Sequence, residues 1–359
     1  MFYYRLMSGL KPRSILFTVC KIILGYKDKL IAMLKFMSNM FLNLILFVFW
    51  LWCSVAIYFI ILPDKLLASM VAGLFALVIP LVFFLVAKRN LALVLIILAY
   101  IVVTIAWMNM PASNNRDWMP SVAKSPYVIT QGNQVTVHDI RNFDYRTETN
   151  FTENYYTKTY DLDDLESLGF LLSYWGGGTT FAHTILSFGF SNGDYLAVSA
   201  ETRLEKGERQ NLISGFFNQY EMIYILADER DVIRLRTNFR KLDPEDVYFY
   251  PTMLSKQKIR QVFEVIMARV NKLYQEPEFY NTITHNCFTT LRADFNAIAS
   301  PKNRFDWRII ANGYSDQMLY ENGVIDTELS FPEAREYFHI NQYVSDDNSS
   351  EDFSLKIRH

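Results

Sequence analysis

Three uncharged, strongly apolar runs near the start of the 359-residue chain restrict what it can fold into. None contains Lys, Arg, Asp or Glu, and each approaches the ~20 residues that a helix needs to cross about 30 Å of hydrocarbon. Three such runs in succession, separated only by short polar breaks, are typical of membrane spans rather than of a soluble core. The sequence therefore predicts a membrane region at residues 41–110, with spans at 41–62, 66–87 and 91–108.

Basic residues around these runs predict their orientation. Residues 1–40 carry seven Lys or Arg side chains against one acid, Asp28, and the loop at 88–90 carries two more basic residues. Positively charged flanks tend to stay in the cytoplasm. Residues 1–40 are therefore expected on the cytoplasmic side, and everything after about Pro111 on the outer side.

The stretch at residues 12–26 mixes apolar residues with Arg13 and Lys21. This pattern favours a separate interfacial helix that lies on anionic lipid. The stretch also resembles a signal peptide, but no small-residue cleavage site follows before the next basic run.

From about residue 125 the sequence changes to short runs rich in Tyr, Phe, Val, Ile and Thr. Gly, Asn and Asp separate these runs. Such runs are typical of short strands. Residues 255–275 then have helical spacing, and Pro277 ends that helix. Strands followed by segregated helices predict an α+β fold for a domain at 111–344. The polar tail at 345–359 is expected to be disordered.

Only one of the three cysteines, Cys287, lies in the predicted outer domain, since Cys20 and Cys53 fall in or near apolar segments. Cys287 has no partner there for an intrachain disulfide, so it is either buried and inert or kept for its thiol chemistry. A helix is predicted to begin near Asn286. Cys287 would then lie in the first turn, where the helix dipole and unpaired N–H groups favour a thiolate.

A thiol enzyme also needs an imidazole that accepts and returns the proton, and His183 is the best candidate. His285 lies too close to Cys287 in sequence to face it. His183 opens the strand-like run HTILSFGF after a glycine-rich turn at 175–178, an arrangement that is papain-like with the chain order permuted. A lone His and a lone Cys are also common packing residues, so spacing alone leaves both interpretations open.

Composition argues against several other classes of function. The formal net charge is −2, and no dense basic stripe is interleaved with aromatic residues, so nucleic acid is not an expected partner. One cysteine and scattered histidines do not form a zinc-ligand pattern, so no metal site is expected. The sequence has no P-loop or dinucleotide-binding glycine motif, so no cofactor is expected.

Five ordered sequence blocks carry more information than the spacing of one cysteine and one histidine. The blocks are RNFDYRTET (141–149), AHTILSFGF (182–190), SAETRLEKGE (199–208), YEMIYILADERDVIRLR (220–236) and FYNTITHNCFTTLR (279–292). Together they resemble the Lnb-type periplasmic domain family over nearly all of residues 120–330. Members of that family resemble permuted NlpC/P60 and lecithin:retinol acyltransferase-like thiol enzymes, which implies a papain-like fold.

The resemblance implies Cys287 as nucleophile and His183 as general base. Glu201 is a candidate to orient the imidazole; alternatively, it is a solvated charge or an ion-pair partner of Arg203. Asn286 could donate to an oxyanion together with the Cys287 backbone N–H, or merely cap the helix.

Four further residues are candidates for lining the substrate site, and each could equally be structural. Trp175 could also pack beneath His183 or lie at the bilayer interface. The four candidates are Tyr145, Arg146, Trp175 and Arg203.

Membrane-bound Lnb proteins are implicated in N-acylation of bacterial lipoproteins. The resemblance thus implies an inner-membrane enzyme with a periplasmic catalytic domain. Its acyl donor would be a membrane phospholipid, and its acceptor would be the α-amino group of a diacylated lipoprotein's N-terminal cysteine. Two alternatives stay open: a Cys/His amidase or peptidase acting on cell-wall peptide, and a membrane-anchored binding module with an inert thiol.

Overall fold

The computed structural model of the protein describes residues 12–61, 64–282, 284, 289–292, 306–344 and 353–358, with side chains described from Tyr26 onward. The chain divides into two compact units, Met1–Met110 and Pro111–His359. The first unit carries the apolar runs, and the second carries the β-rich part of the sequence.

The first unit contains three long helices, as the three apolar runs predict. Each is long and apolar enough to cross a membrane, α1 over the portion Tyr26–Ile61. The Asp64 side chain caps the second helix by accepting a hydrogen bond from the Leu67 backbone N–H at 3.0 Å. The helices are α1 (Pro12–Ile61), α2 (Lys65–Leu85) and α3 (Arg89–Met108).

Residues 12–26 form the first turns of α1, so the prediction of a separate interfacial helix is wrong in this respect. Pro12 stands at the start of the helix, where the missing N–H is one that has no intrahelical partner anyway. The sequence contains no other proline before Pro63, so no such helix breaker interrupts α1 between the basic stretch and the apolar stretch.

The second unit is built on an eight-stranded sheet and a small two-stranded one. Along the larger sheet the order is β1-β2-β9-β8-β7-β6-β10, with β5 also paired to β2. Among the described residues, every pairing of these strands is antiparallel except the short contact of β2 with β9. The strands are β1 (Tyr127–Gln131), β2 (Gln134–Arg141), β3 (Asp144–Tyr145), β4 (Phe151–Thr152), β5 (Tyr155–Asp161), β6 (Leu165–Tyr174), β7 (His183–Phe190), β8 (Tyr195–Arg203), β9 (Glu221–Ala227) and β10 (Asp246–Pro251).

Apolar side chains cover both faces of the larger sheet. On β7, Leu186 and Phe188 join the cluster that packs against the long helix α6, Lys256–Gln275. Ile185 belongs to the cluster on the opposite face. A strand buried on both faces reads as a nearly continuous apolar run, which explains the sequence HTILSFGF.

The predicted helix at 255–275 is confirmed as α6. The Ser255 side chain caps its first turn, and its buried face carries the apolar residues that the helical spacing indicates. Phe263 of α6 meets Phe188 edge to face, with ring centroids 5.0 Å apart.

The α+β class is confirmed, because strands and helices are largely segregated along the chain. The papain-like arrangement within that class stays a prediction. Other short helices among the described residues are α4 (Leu212–Phe216), α5 (Glu229–Arg234), which continues into a π-helical turn at Leu235–Phe239, α7 (Ser315–Glu321), α8 (Phe331–Tyr337) and α9 (Phe353–Lys356), and residues 289–292 are also helical. Four single 3₁₀ turns lie at Pro120–Val122, Trp307–Ile309, Asn312–Tyr314 and Ile340–Gln342.

The prediction of a disordered tail is wrong for residues 353–358. Phe353 and Ile357 are 1% exposed and belong to the cluster on the sheet face opposite α6. The Arg358 guanidinium donates to both carboxylate oxygens of the fully buried Glu229, at 2.6 and 2.8 Å. Phe353, Ile357 and Arg358 thus attach this polar tail to the domain.

We expect Arg358→Ala to lower the local stability of α5 by about 3 kcal/mol, because the variant leaves the Glu229 carboxylate buried without its counter-charge. Arg358→Lys keeps the charge but loses the paired hydrogen bonds, so its loss should be smaller. Hydrogen exchange of the α5 amides in the full-length protein measures the difference. Unchanged exchange in Arg358→Ala would contradict this role.

Candidate active site

His183 is the first residue of β7 and lies at one end of the large sheet. It pairs with Ser173 of β6 on one side, and the register of β7 with β8, which pairs Ile185 with Ser199, brings Glu201 close on the other. Side chains two residues apart on a strand share a face. The side chains of Ser199 and Glu201 therefore both point to the face on which His183 lies.

These three side chains form a compact hydrogen-bonded group. The His183 Nε2 atom lies 2.6 Å from the Ser199 hydroxyl oxygen and 3.2 Å from Glu201 Oε1. The Ser199 hydroxyl donates to the same Glu201 oxygen at 2.7 Å. Ser199 is fully buried, and the side chains of His183 and Glu201 are 13% and 23% exposed. The group is thus shielded from water but reachable at the sheet end.

The charge of Glu201 determines which imidazole nitrogen carries the proton. Burial opposes ionisation of this carboxyl, but His183, Arg236 and the hydrogen bonds from His183 and Ser199 outweigh it and hold the pKa of Glu201 well below its usual range. An ionised carboxylate only accepts hydrogen bonds, so Ser199 donates to Glu201 and its oxygen accepts from His183 Nε2–H. In the neutral imidazole, the lone pair then belongs to Nδ1.

Arg236 supplies the counter-charge that keeps Glu201 ionised. Its guanidinium is 3% exposed, and Nη2 lies 2.9 Å from Glu201 Oε1. It comes from the π-helical turn that continues α5, and a hydrogen bond from Nη1 to the Val232 carbonyl, at 3.0 Å, fixes its direction. Single π-turns of this kind occur frequently at functional sites.

A second carboxylate extends the network beyond Arg236. Glu245 Oε2 lies 3.6 Å from Arg236 Nε, and the same carboxylate binds Arg240 and the Ser173 hydroxyl. Burial opposes its ionisation, but Arg236, Arg240 and these hydrogen bonds lower the pKa of Glu245. Two carboxylates and two guanidiniums therefore alternate behind His183, which lets the charges remain buried.

Asn312 fixes the backbone immediately before His183. Its side-chain amide forms a reciprocal pair with Ala182, accepting from the backbone N–H at 3.2 Å and donating to the carbonyl at 2.5 Å. The next residue, Gly313, lies so close to the loop before β7 that an added Cβ would overlap the Thr179 carbonyl oxygen. Glycine permits this approach because it has no Cβ. Asn312 and Gly313 therefore both pack against the loop that leads into β7.

Cys287 and Asn286 lie outside the described residues, but the chain on either side of them is described. Before them, Thr282 donates to the Leu212 carbonyl at 3.1 Å, near the connection between β8 and β9. After them, the helical residues 289–292 contact β9, where the Thr290 hydroxyl lies 3.6 Å from Met222 Sδ. Because β9 begins beside the end of β8, both flanks lie at the same end of the sheet as His183.

The described residues that follow the gap lie on a different face of the sheet from His183. Met222 and Leu291 belong to the cluster on the α6 face, whereas His183 shares the opposite face with Ile185.

Two of the four predicted lining residues are held in internal contacts. The Tyr145 hydroxyl lies 3.4 Å from Asp231 in an aromatic cluster beside the π-helical turn. Arg203 is 2% exposed, donates to two backbone carbonyls and the Asn114 side chain, and stacks 4.4 Å from the Trp118 ring. These contacts favour the structural alternative for both residues. They also show that Glu201 takes Arg236, rather than Arg203, as its ion-pair partner.

The other two predicted lining residues are more exposed. Arg146 sits in the β3–β4 hairpin and bonds to Asn150 and Thr152. Trp175 follows β6 directly and is 44% exposed at the His183 end of the sheet. Of the four, Trp175 is the one whose position fits a substrate-facing role most simply.

The sequence arguments did not identify four residues that build this network: Ser199, Arg236, Glu245 and Asn312. Ser199 could have been found, because it lies two residues before Glu201 and so shares its strand face. Arg236 and Glu245 reach the site through tertiary packing that no local pattern reveals.

Comparison with known proteins gives one match. Residues 151–313 match a family model described as the Lnb N-terminal periplasmic domain. The matched range includes His183, Glu201 and Cys287 and ends at Gly313, which confirms the resemblance over that range. No curated protein and no solved structure matches the chain.

We expect the stability lost in Arg236→Met to depend on pH. Because its pKa is lower in the folded protein than in the unfolded chain, Glu201 stabilises the fold above the ordinary carboxylate pKa of about 4.3. This contribution is lost as pH falls through the folded-state value. Removing the guanidinium should therefore cost about 3 kcal/mol at neutral pH and less under acidic conditions.

The measurement is thermal unfolding of the full-length protein and the variant at neutral pH and at a pH well below the ordinary carboxylate pKa. Arg236→Lys, which keeps a positive charge, is the control and should lose less. An equal loss at both pH values would show that Arg236 acts through packing rather than through the carboxylates.

Proposed function

We propose that this chain, which carries an Lnb N-terminal periplasmic domain at residues 151–313, is a membrane-bound thiol acyltransferase. Cys287 is the nucleophile, and His183 is its general base and acid. The observation that carries the proposal is the Ser199–Glu201–Arg236 arrangement, which supports His183 Nε2 as a hydrogen-bond donor and Nδ1 as the atom that we propose for proton transfer. A papain-like arrangement of the two residues is part of the proposal.

In the first step, His183 Nδ1 takes the Cys287 thiol proton, and the thiolate attacks an ester carbonyl of a membrane phospholipid. The imidazolium that forms is stabilised by the Glu201 carboxylate. The tetrahedral intermediate then expels the lysophospholipid oxygen, which takes the proton from Nδ1. The acyl group remains on Cys287 as a thioester.

In the second step, an amine attacks the thioester and gives its proton to His183 Nδ1. The carbon–sulfur bond breaks, the sulfur recovers the proton, and an amide is released. The backbone N–H of Cys287 and the side chain of Asn286 are the donors that we assign to the oxyanion in both steps.

The acceptor that this chemistry fits is the α-amino group of the lipid-modified N-terminal cysteine of a lipoprotein. Donor and acceptor are both confined to the bilayer, and an enzyme with three helices of spanning length is confined with them. Confinement replaces a search through solution with an encounter at the membrane. It also limits the access of water to the thioester.

The test is to incubate the full-length protein with phospholipid and a synthetic diacylated lipopeptide. The mass of the lipopeptide is then measured by mass spectrometry. We expect one additional acyl chain on the amine, and none with Cys287→Ala. Free fatty acid with an unchanged lipopeptide would overturn transfer in favour of hydrolysis. Full turnover by Cys287→Ala would overturn the thiol mechanism altogether.

We expect Glu201→Gln to slow acyl transfer by roughly 10²-fold or more, because a neutral amide stabilises neither the correct tautomer nor the imidazolium. The variant should also raise the pH at which Cys287 becomes reactive to iodoacetamide. Glu166→Gln, a change at an exposed carboxylate of β6, is the control and should leave both properties unchanged. Retained transfer in Glu201→Gln would remove Glu201 from the mechanism.

A further inference from the structure

Large apolar side chains are exposed on the loops that surround the start of β7. Trp175 and Phe181 flank the glycine-rich turn before His183 and are 44% and 57% exposed. Leu242, in the connection to β10, is 99% exposed. These two loops touch, because the Gly176 backbone N–H donates to the Asp243 carboxylate at 3.1 Å.

Two neighbouring segments add apolar side chains at the same end of the sheet. Leu212 and Ile213 of α4 are exposed in the connection from β8 to β9. Trp307 and Ile310 are exposed just before the turn in which Gly313 packs on the loop that precedes β7. Together with Trp175, Phe181 and Leu242, these side chains are called the apolar rim.

The rim is too large to be the scattered exposure that soluble surfaces tolerate. Its seven large side chains belong to four separate segments, all of which lie at the sheet end that carries His183. Contiguous exposed apolar surface marks a site of association with protein or membrane. Trp and Phe beside Leu and Ile are also the residues that enter the interface of a bilayer.

Chain connectivity favours lipid as the occupant. The Ser113 backbone N–H donates to the Glu221 carboxylate at 3.0 Å, at the start of β9 and hence at this same end of the sheet. Four residues separate Ser113 from Met108, the last residue of α3. An extended chain of that length spans at most about 18 Å, so only a short linker joins this end of the sheet to a helix long and apolar enough to cross a membrane.

We propose that the apolar rim inserts into the interface of the lipid bilayer and holds the His183 end of the domain against the membrane. The insertion needs neither transfer nor hydrolysis, so it stands apart from the proposed reaction. If the acyltransferase proposal also holds, the rim brings the ester of a membrane lipid to Cys287 without its leaving the bilayer.

The test uses the full-length protein in lipid nanodiscs, with Cys20, Cys53 and Cys287 replaced by Ser. A fluorophore sensitive to polarity is attached at Leu242→Cys. The matched control is Met253→Cys, which is 65% exposed beyond the opposite end of β10. Neither exchange removes a packed side chain, so both proteins should fold.

We expect spin-labelled lipid to quench the probe at position 242 severalfold more than the probe at position 253. Equal quenching at the two positions would overturn the proposal. A blue-shifted emission at 242 without quenching by lipid would also overturn it, because it would assign the rim to a protein partner. Activity is not needed for any of these outcomes, so a failed acyltransferase assay leaves the test intact.

Discussion

The buried contact between Glu201 and Arg236 is the interaction on which the rest of the site depends. A carboxylate at a strand end would ordinarily be solvated or protonated on burial. The nearly inaccessible guanidinium keeps this one ionised, and an ionised carboxylate forces Ser199 to donate toward it and to accept from His183. The ion pair between Arg236 and Glu201 thus favours one tautomer of His183. It can do so only because the register of β7 with β8 aligns His183, Ser199 and Glu201.

The fold brings these groups together because both faces of the sheet are covered. The α6 face carries the large apolar cluster and the described residues that follow Cys287, while the opposite face receives α5, the π-helical turn and residues 353–358. Arg358 binds Glu229 at the start of α5, and the same stretch of chain ends by presenting Arg236 to Glu201. The packing of a segment distant in sequence therefore supports the residue that positions the imidazole.

Much of this architecture could be predicted from local patterns, and the part that could not has a physical explanation. The three apolar helices and α6 follow from charge-free runs and helical spacing, which are properties of neighbouring residues. Glu201 lies in the block SAETRLEKGE, one of the five that carry the family resemblance. Arg236 and Asn312 act through contacts with residues 35 and 130 positions away, which no local period encodes. The prediction of a disordered tail is wrong for residues 353–358 because it rested on the mostly polar composition. Three residues in this stretch, Phe353, Ile357 and Arg358, nevertheless attach it to the domain.

The central claim is the proposed covalent acyl group on Cys287. Intact-mass measurement of the full-length protein after exposure to phospholipid, with no acceptor amine present, tests it most directly. The account predicts an added acyl mass that maps to Cys287, disappears on treatment with hydroxylamine and is absent from Cys287→Ala. A protein whose mass is unchanged under conditions in which lipid is consumed, or an adduct that maps to another residue, would contradict it.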